Sequence, residues 1–464
     1  MPKNAIGIDI GGTNIRAARI AEDGPILARR GLATNREARA CLQDCLALIA
    51  QLRDEETAAI GIGVPGQVDF AAQAVLSGGF VDLSTLPFAA EVRQATGLPV
   101  TIDNDANMAL IGEAARGAAK GCGNAVLLTI GTGIGGAILD HGRILRGRAT
   151  AGQLGHLVVN SQGRACVCGR KGCVETESSG TAFGRHLAEA GLPPGLKAQD
   201  LIALADQDAR AAEVLRRWAE PLRAAIDSLI TTLAPEAVLI GGGAGPAALA
   251  ALERVPEAKS WFHAPVIAAA LGDDAGITGA AIASLAQGRK VVLVNGVPAS
   301  GKSGVARSLS EATGWPILAL DTIKNPFLAE LGPVDRPMNR RFGMAAYQAI
   351  FDTLAAAPPG STTIVDAWFG FQPIEVLMAG LARAGVARAV EVWCSAPPQT
   401  IADRYAARVP TRPQGHPGLE YVPELLKLAG RAEPTGKFAV IRADTEKAID
   451  GKALALDVRA LISP

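Results

Sequence analysis

Residues 151–175 read AGQLGHLVVNSQGRACVCGRKGCVE and set one histidine, His156, and three cysteines, Cys166, Cys168 and Cys173, among glycines. One imidazole and three thiolates are the ligand set of a closed tetrahedral zinc site. A chain with that site must fold so that four separated side chains meet at one point. Three cysteines on a glycine-rich surface loop is the plain alternative. A disulfide knot would leave an odd thiol and needs an oxidising compartment. Glu175, two residues beyond the last thiolate, would be held rigidly by the metal. Gln153 shares the loop with His156, so both are candidate site residues.

A chain of 464 residues is too long for one ordinary core and indicates two or three domains. Lys plus Arg and Asp plus Glu number 45 each, so no long-range field favours nucleic acid or an anionic membrane. Abundant Ala and Gly with few aromatics fit an α/β protein with many tight turns. The opening MPKNAIGIDIGG lacks the apolar core and cleavage site of a signal peptide. No run of ~20 apolar residues suggests a membrane span. Cysteines without a disulfide pattern then point to a reducing cytoplasm.

Ala5–Ile10 reads as a strand, Gly11-Gly12-Thr13-Asn14 as a turn and Ile15–Ile20 as the returning strand. Glycines let backbone N–H groups approach a phosphate, and Asp9, where strand meets turn, can hold Mg²⁺ directly or through water. An ordinary hairpin turn is the alternative. A helix over Arg36–Arg53 and a strand at Ala59–Val64 follow. The strand Pro99–Ile102 opens into Asp103-Asn104-Asp105-Ala106-Asn107, ahead of a helix expected from Met108 to Ala119. A carboxylate at such a junction stands over a cleft and can take a proton from a bound hydroxyl. Helix capping by Asn104 or Asp105 is the competing reading.

Ala125–Ile130 is a strand, and Gly131-Thr132-Gly133-Ile134-Gly135-Gly136 forms a second glycine cradle. A strand at Ala137–Leu139 follows it, not a helix, so this is no dinucleotide fingerprint. Strand, glycine turn and strand thus occur twice, a weak internal duplication. Helical sequence is expected over Thr181–Leu233. The strand Ala237–Ile240 then enters Gly241-Gly242-Gly243, a third close-approach turn suited to a flat ring.

The pieces DIGGTN, GVPGQVD, DNDAN, TIGTGIGG, GH…CVCGRKGCVE and VLIGGG run in this order over residues 5–288. Together they resemble the ROK family of repressors and sugar kinases, in the actin-like ATPase superfamily. The resemblance implies a two-lobed α/β, ribonuclease H-like fold over residues 1–288, split near residue 107, with a zinc loop at 152–175. It implies that Asp105 deprotonates a sugar hydroxyl, at C6, and that Asn104, His156, Glu175, Gln153 and Gly79 surround the sugar. The hairpins at Asp9–Thr13 and Thr132-Gly133 would hold ATP phosphates, and Gly242-Gly243 would lie against adenosine. The family usually has Glu where this chain has Gln153, and Ser77–Asp82 lacks the usual Asn-Leu and Trp pattern. Gln keeps hydrogen bonding but loses charge, so a different C1 or C2 substituent is expected. Repressor members carry a helix-turn-helix module before the first hairpin, and a hairpin starting at Ala5 leaves no space for one. The resemblance also implies a homodimer.

After a short joint at Gln287-Gly288-Arg289, the strand Lys290–Asn295 runs into Gly296-Val297-Pro298-Ala299-Ser300-Gly301-Lys302-Ser303 and a helix to Ala312. This is a phosphate-binding P-loop in its strand–loop–helix context. Its N–H groups cradle phosphates, Lys302 reaches the β/γ oxygens, and Ser303 holds Mg²⁺. Strands at Pro316–Leu320, Thr362–Val365, Ala389–Cys394 and Phe438–Ile441 complete a parallel core. Asp366 can support Mg²⁺ and Asp321 can serve as base, with N-capping the alternative for Asp321. Arg404, Arg408 and Arg412 read as a lid that neutralises the transferring phosphoryl, or as a solvated basic face.

Residues 290–464, through NGVPASGKSGVARSL and LDTIKNPF, resemble chloramphenicol phosphotransferase and related small P-loop kinases. That resemblance makes Asp321 the base. The combined expectation is a bifunctional kinase using ATP, Mg²⁺ and structural Zn²⁺. Residues 1–288 would act on a hexose and residues 289–464 on a small hydroxyl compound. A P-loop part serving as a regulatory nucleotide switch, or a sugar sensor without turnover, are the alternatives.

Overall fold

The computed structural model of the chain describes residues 4–255, 260–358, 360–412 and 416–462. Contacts divide them into two units, Met1–Leu285 and Ala286–Pro464. The first unit opens with β1 (Asn4–Ile10), β2 (Asn14–Ala21), β3 (Ile26–Ala33), β4 (Thr57–Val64), a small hairpin of β5 (Gln67–Asp69) and β6 (Ala74–Ser77), and β7 (Val100–Asn104). The main sheet has the order β3-β2-β1-β4-β7, with β1 to β3 antiparallel and β4 and β7 parallel to β1. A second sheet contains β8 (Ala125–Ile130), β9 (Ile134–Asp140), β10 (Arg143–Ile144), β11 (Ala237–Gly241) and β12 (Val266–Ala268), in the order β10-β9-β8-β11-β12. It repeats the same pattern of three antiparallel and two further parallel strands. The duplication read from two glycine hairpins is therefore a duplication of whole sheets.

Alternation sends Ile6, Ile8 and Ile10 of β1 into a core with α1 (Ala38–Leu52) and α2 (Phe88–Thr96). The opposite face of β1 is stripped to Ala5, Gly7 and Asp9. Here α3 (Asp105–Arg116) crosses between the sheets. The second lobe continues through α4 (Glu175–Ser178), α5 (Gly180–Glu189), α6 (Ala198–Leu204), α7 (Ala209–Leu233) and α8 (Gly245–Leu252), and α9 (Ala275–Ala286) returns to the first sheet. A Cβ on Gly7 would lie 1.9 Å from the Ile277 carbonyl oxygen, and one on Gly61 1.8 Å from that of Ala280. A Cβ on Gly279 of α9 would lie 1.6 Å from the Met108 carbonyl oxygen of α3. Backbone thus packs on backbone at the junction of the lobes, and glycine is the residue that permits it. Glu113, fully buried on α3, accepts the amides of Ala118, Ala270 and Leu271 and so ties α3 to the entry of α9.

Three expectations are corrected. The helix expected from Met108 begins at Asp105, because Asn104 Oδ1 accepts the Ala106 and Asn107 amides and caps it; β7 extends to Asn104. The second cradle is shorter than expected, since β9 already starts at Ile134. The helical span Thr181–Leu233 is broken into α5, α6 and α7 by Gly191, Pro193 and Pro194 and by the turn at 205–208. In α7, Pro221 costs about 3 kcal/mol inside a helix. Burial of Val214, Leu215, Trp218, Leu222, Ile226, Leu229 and Ile230, at about 1.5–3 kcal/mol each, outweighs it.

The second unit is one parallel sheet of β13 (Arg289–Asn295), β14 (Ile317–Ala319), β15 (Thr362–Asp366), β16 (Val386–Ser395) and β17 (Ala439–Asp444), in the order β14-β15-β13-β16-β17. Strand β13 is apolar on both faces, as a covered parallel strand requires. Val292 and Val294 meet α10 (Lys302–Thr313) and the C-terminal helix at 451–462. Val291 and Leu293 meet Tyr347, Phe351 and Leu377 of the helices at 336–356 and 374–383. Strand order reverses beside β13, so its carboxyl end is the crevice where such sheets take ligands. A helix, α11 (Leu320–Leu331), follows β14 directly, so the strand expected to run to Leu320 ends at Ala319.

Candidate active sites

The cleft of the first unit is built from three strand ends and a helix start. Asp9 ends β1 with its carboxylate in a slot that two glycines leave open. A Cβ on Gly276 would lie 2.8 Å from its Cγ, and one on Gly63 3.5 Å from its Oδ1. Arg16 stands 4.0 Å from Asp9 and 3.1 Å from Asp273. The turn behind Asp9 is closed by Gly11 N–H donating to Asn14 O at 3.0 Å, and by Thr34 Oγ1 donating to Gly11 O at 2.6 Å. Thr13 and Gly12 lie in this turn, with the Phe80 ring over Gly12. Gly79 is exposed beside Pro65.

Asp105 is the first residue of α3. Its Oδ1 accepts the Ala106 amide at 2.8 Å. Burial pushes its carboxyl up to about 6. Asp9 is pushed up to about 7, by burial first and then by the charge of Asp105. Two carboxyls therefore share one largely enclosed crevice and resist ionising together. The capping alternative also holds, but Asn104 is the capping residue. Asn104 Nδ2 donates to Gly66 O at 3.0 Å, so most of its bonding capacity is spent on the scaffold.

Glycines on β9 seat both flanks of the site. Gly135 faces Ala106 of α3, and Gly136 faces Leu154 beside His156. The turn Gly131-Thr132-Gly133 closes on itself through Gly131 N–H to Gly133 O at 2.9 Å, and the start of α5 donates to the carbonyls of Gly131 and Thr132. Glu175 Oε2 accepts the Ile134 amide at 2.8 Å, which docks Glu175 against this turn. The Gln153 side chain makes no hydrogen bond among the described residues. The third turn packs Gly242, at φ +82°, on the backbone of Ile130. Beside Gly243 opens a cleft lined by Phe183, Lys197, Gln199, Trp218 and Ala244, aromatic and amide groups that the sequence pattern did not single out.

His156, Cys166, Cys168 and Cys173 converge. Their ligand atoms all lie within 4.8 Å of one another, with Cys166 Sγ 3.5 Å from His156 Nδ1 and Cys168 Sγ 3.5 Å from Cys173 Sγ. All three cysteines are free of disulfides. Gly172, at φ +70°, would place a Cβ 1.5 Å from Asn160 O, so only glycine allows the loop to fold back. This donor set fits a tetrahedral zinc ion.

Sequence reading missed Asp103 and Arg146. Asp103, 2% exposed, accepts from Arg146 Nε at 2.9 Å and Nη2 at 2.7 Å and from Asn107 Nδ2 at 2.9 Å. The Arg146 guanidinium lies 3.7 Å from the centroid of the Phe70 ring. The pair joins the end of β7 to the segment that leads into the His/Cys loop.

In the second unit the P-loop runs from Gly296, at φ +150°, to Gly301, at φ +90°, into α10. Lys302 Nζ donates to Val297 O at 3.0 Å, and Ser303 Oγ donates to Asp366 Oδ2 at 2.7 Å. Burial pulls the Lys302 ammonium below its usual range and pushes the Asp366 carboxyl above its own. Among the described residues Ser300 Oγ is buried without a hydrogen-bond partner, and the Lys302 ammonium bonds a carbonyl alone. An orphaned hydroxyl and a buried ammonium so held fit a loop that closes on phosphate. Asp321, at the second position of α11, is 57% exposed and does not cap; its charge acts on both Lys302 and Asp366. Arg408 is exposed, and its charge also acts on Lys302. Arg404 is corrected from a free lid arginine to a brace. Both of its ends bond Thr445, at 3.0 and 2.9 Å, and Thr445 Oγ1 donates to Ser300 O at 2.9 Å. The loop expected beyond Arg412 falls partly at residues 413–415, outside the described residues.

The sequence profile of the ROK family matches residues 5–288, more than half of the chain. The chain belongs to the ROK family. Residues 291–418 match the profile of an AAA domain. The ROK unit is 36% identical over 308 residues to a glucokinase of Thermotoga maritima, covering 61% of this chain and 97% of that protein. It is 33% identical over 288 residues to an N-acetylmannosamine kinase of Yersinia pseudotuberculosis, with 60% and 97% covered. Among solved structures, a ROK family glucokinase from Streptomyces griseus in complex with glucose and AMPPNP is similar at 32% identity and a TM-score of 0.53, over 61% of this chain and 99% of that one. The ROK unit thus has the two-lobed actin-like ATPase fold, and a parallel-sheet P-loop unit follows it. Among the described residues no helix is long and apolar enough to cross a membrane.

Proposed function

We propose that the ROK unit is an ATP-dependent kinase that phosphorylates a hexose or hexose derivative at its C6 hydroxyl. The observation that carries this reading is Asp105, a carboxyl raised to about 6 at a helix start, in a crevice flanked by two glycine turns. A base with that affinity for protons is matched to neutral pH. Asp105 takes the hydroxyl proton as the sugar oxygen bonds to the γ-phosphorus and ADP departs. The two turns present the N–H groups of Gly12, Thr13, Thr132 and Gly133 to the phosphates, and the Phe183–Trp218 cleft beside Gly242-Gly243 takes the adenosine. Mg²⁺ at Asp9 would offset charge on the transferring phosphoryl oxygens. Zn²⁺ on His156, Cys166, Cys168 and Cys173 would fix the loop carrying Gln153 and Glu175, with no open position for chemistry. With Nδ1 toward the cysteines, His156 keeps Nε2 for a sugar hydroxyl, and Glu175 keeps Oε1. Gln153, unbonded and uncharged, favours a substituent at C1 or C2 other than the one a carboxylate selects.

The P-loop unit is proposed as a second ATP-dependent kinase, for a small hydroxyl compound, with Asp321 as base and Ser303 and Asp366 as the Mg²⁺ side. Domains of 1–288 and 289–464, a cytoplasmic location suited to free thiolates, and a homodimer complete the proposal. The test is an ATP-dependent phosphorylation screen over neutral sugars, amino sugars and sugar acids on the full chain. Asp105→Asn removes sugar phosphorylation by the ROK unit, and Lys302→Ala removes only the second activity. A sugar phosphorylation lost in Lys302→Ala and kept in Asp105→Asn refutes the assignment.

A further inference from the structure

The P-loop unit holds a second cluster of charge, on the side of Asp321 away from the loop in sequence. Lys324, one turn along α11, is 7% exposed. Among the described residues its Nζ meets only Asp321 Oδ1 at 3.5 Å and Asn339 Oδ1 at 3.4 Å, both long for an ammonium with three protons. His416 bonds the next residue of the same helix, with Nε2 2.9 Å from Asn325 Oδ1. Arg412 lies 4.8 Å from the centroid of the Tyr405 ring. These groups feel one another. Burial pulls Lys324 below its usual range, Asp321 opposes that pull, and the charge of Arg412 adds a smaller one. His416 is pushed down to about 4, by burial, then Lys324, then Arg412. Among the described residues the buried Lys324 ammonium thus has one carboxylate, Asp321, itself 57% exposed, while the charges of Arg412 and Lys324 both act on His416. A buried cation is ordinarily closely paired, and both contacts of this one are long.

We infer that the acceptor of the P-loop unit is an anionic alcohol, a compound bearing a carboxylate or a phosphate monoester beside its hydroxyl, whose oxyanion Lys324 and Arg412 bind next to Asp321. The inference rests on the reading of this unit as a kinase and names its substrate class. Lys324 sits on the helix of the base, not on the loop that grips ATP, so it is placed to hold the acceptor. In the reaction the acceptor oxygen bonds to the γ-phosphorus, and the bond to the β–γ bridging oxygen breaks. ADP leaves with that electron pair, and the hydroxyl proton passes to Asp321.

The test uses the full chain carrying Asp105→Asn, which silences the ROK unit, with glucose, gluconate and glucose 6-phosphate as acceptors and ADP release as the readout. Gluconate or glucose 6-phosphate is expected to raise turnover at least tenfold over glucose, and which of them does so separates carboxylate from phosphate. Adding Lys324→Met is expected to raise KM for the anionic acceptor roughly ten- to a hundredfold, the worth of a hydrogen bond to a charged group, while kcat changes by less than about threefold. Arg412→Gln, at a less buried position, gives a second reading of the same shift. Turnover with glucose alone, or an unmoved KM in both variants, overturns the inference. If nothing is phosphorylated, calorimetry with gluconate and inorganic phosphate decides. Binding that Lys324→Met and Arg412→Gln abolish upholds the anion site and rejects the kinase reading; absence of binding overturns the site.

Discussion

Asp105→Asn separates the chemistry of the ROK unit from its stability, because the structure assigns the carboxylate opposite effects on each. The carboxyl is raised from its ordinary 3.8 to about 6 by burial. Its stabilising contribution is therefore complete below pH 4 and is lost as pH rises through about 6. Asp9, raised to about 7 with the Asp105 charge as its second cause, carries the loss further toward neutrality. A displacement from 3.8 to about 6 corresponds to about 3 kcal/mol withheld from the ionised protein, which residual solvent access reduces to about 1–2 kcal/mol. Asparagine keeps an oxygen for the Ala106 amide, cannot ionise, and relieves Asp9. Thermal melts of wild type and variant at pH 5, 6, 7 and 8 check this. The variant should gain stability over wild type as pH rises, with most of the gain in place by pH 8. In the same samples sugar phosphorylation should fall by about 10²–10⁴, with nucleotide binding kept. Parallel melting curves over this pH range, or a loss of turnover below tenfold, would refute the reasoning.

Cys166→Ser, or a strong chelator, should remove one zinc per chain as measured by a colorimetric zinc assay. It should lower kcat/KM for sugar by more than about tenfold, since the loop carrying Gln153 and Glu175 loses its anchor. Arg146→Met leaves Asp103 buried without its cation and should cost about 3 kcal/mol in urea unfolding. Adding Asp103→Asn to that variant should recover part of the loss. Gly279→Ala drives a methyl to 1.6 Å from Met108 O and 2.7 Å from Gly112 N. It should destabilise by about 1–3 kcal/mol and, by shifting α3, lower turnover. Gly304→Ala in α10, with nothing within 4 Å of its Cβ position, should instead stabilise by up to about 1 kcal/mol.

What the chain order alone determined lies where chemistry and local backbone coincide. The P-loop, the glycine hairpins and the His/Cys loop are short segments whose glycines need left-handed φ or close approach. Gly172, Gly242 and Gly301 show this directly. Their residues are neighbours in sequence, so spacing alone reveals them. The start of α3 was within reach as well, since Asn104 caps by a bond two residues long.

Tertiary structure decided what depends on partners far along the chain. Glu113 earns its burial from amides at Ala270 and Leu271, and Asp103 from Arg146; no periodicity announces either pair. The same holds for Arg404, whose guanidinium reads as a phosphate ligand until Thr445 occupies it. Lys324 is the converse case, a lysine unremarkable in sequence that folding buries with long contacts to Asp321 and Asn339. Local rules see the nearest few residues, whereas desolvation and charge pairing are settled only when distant segments close around a group.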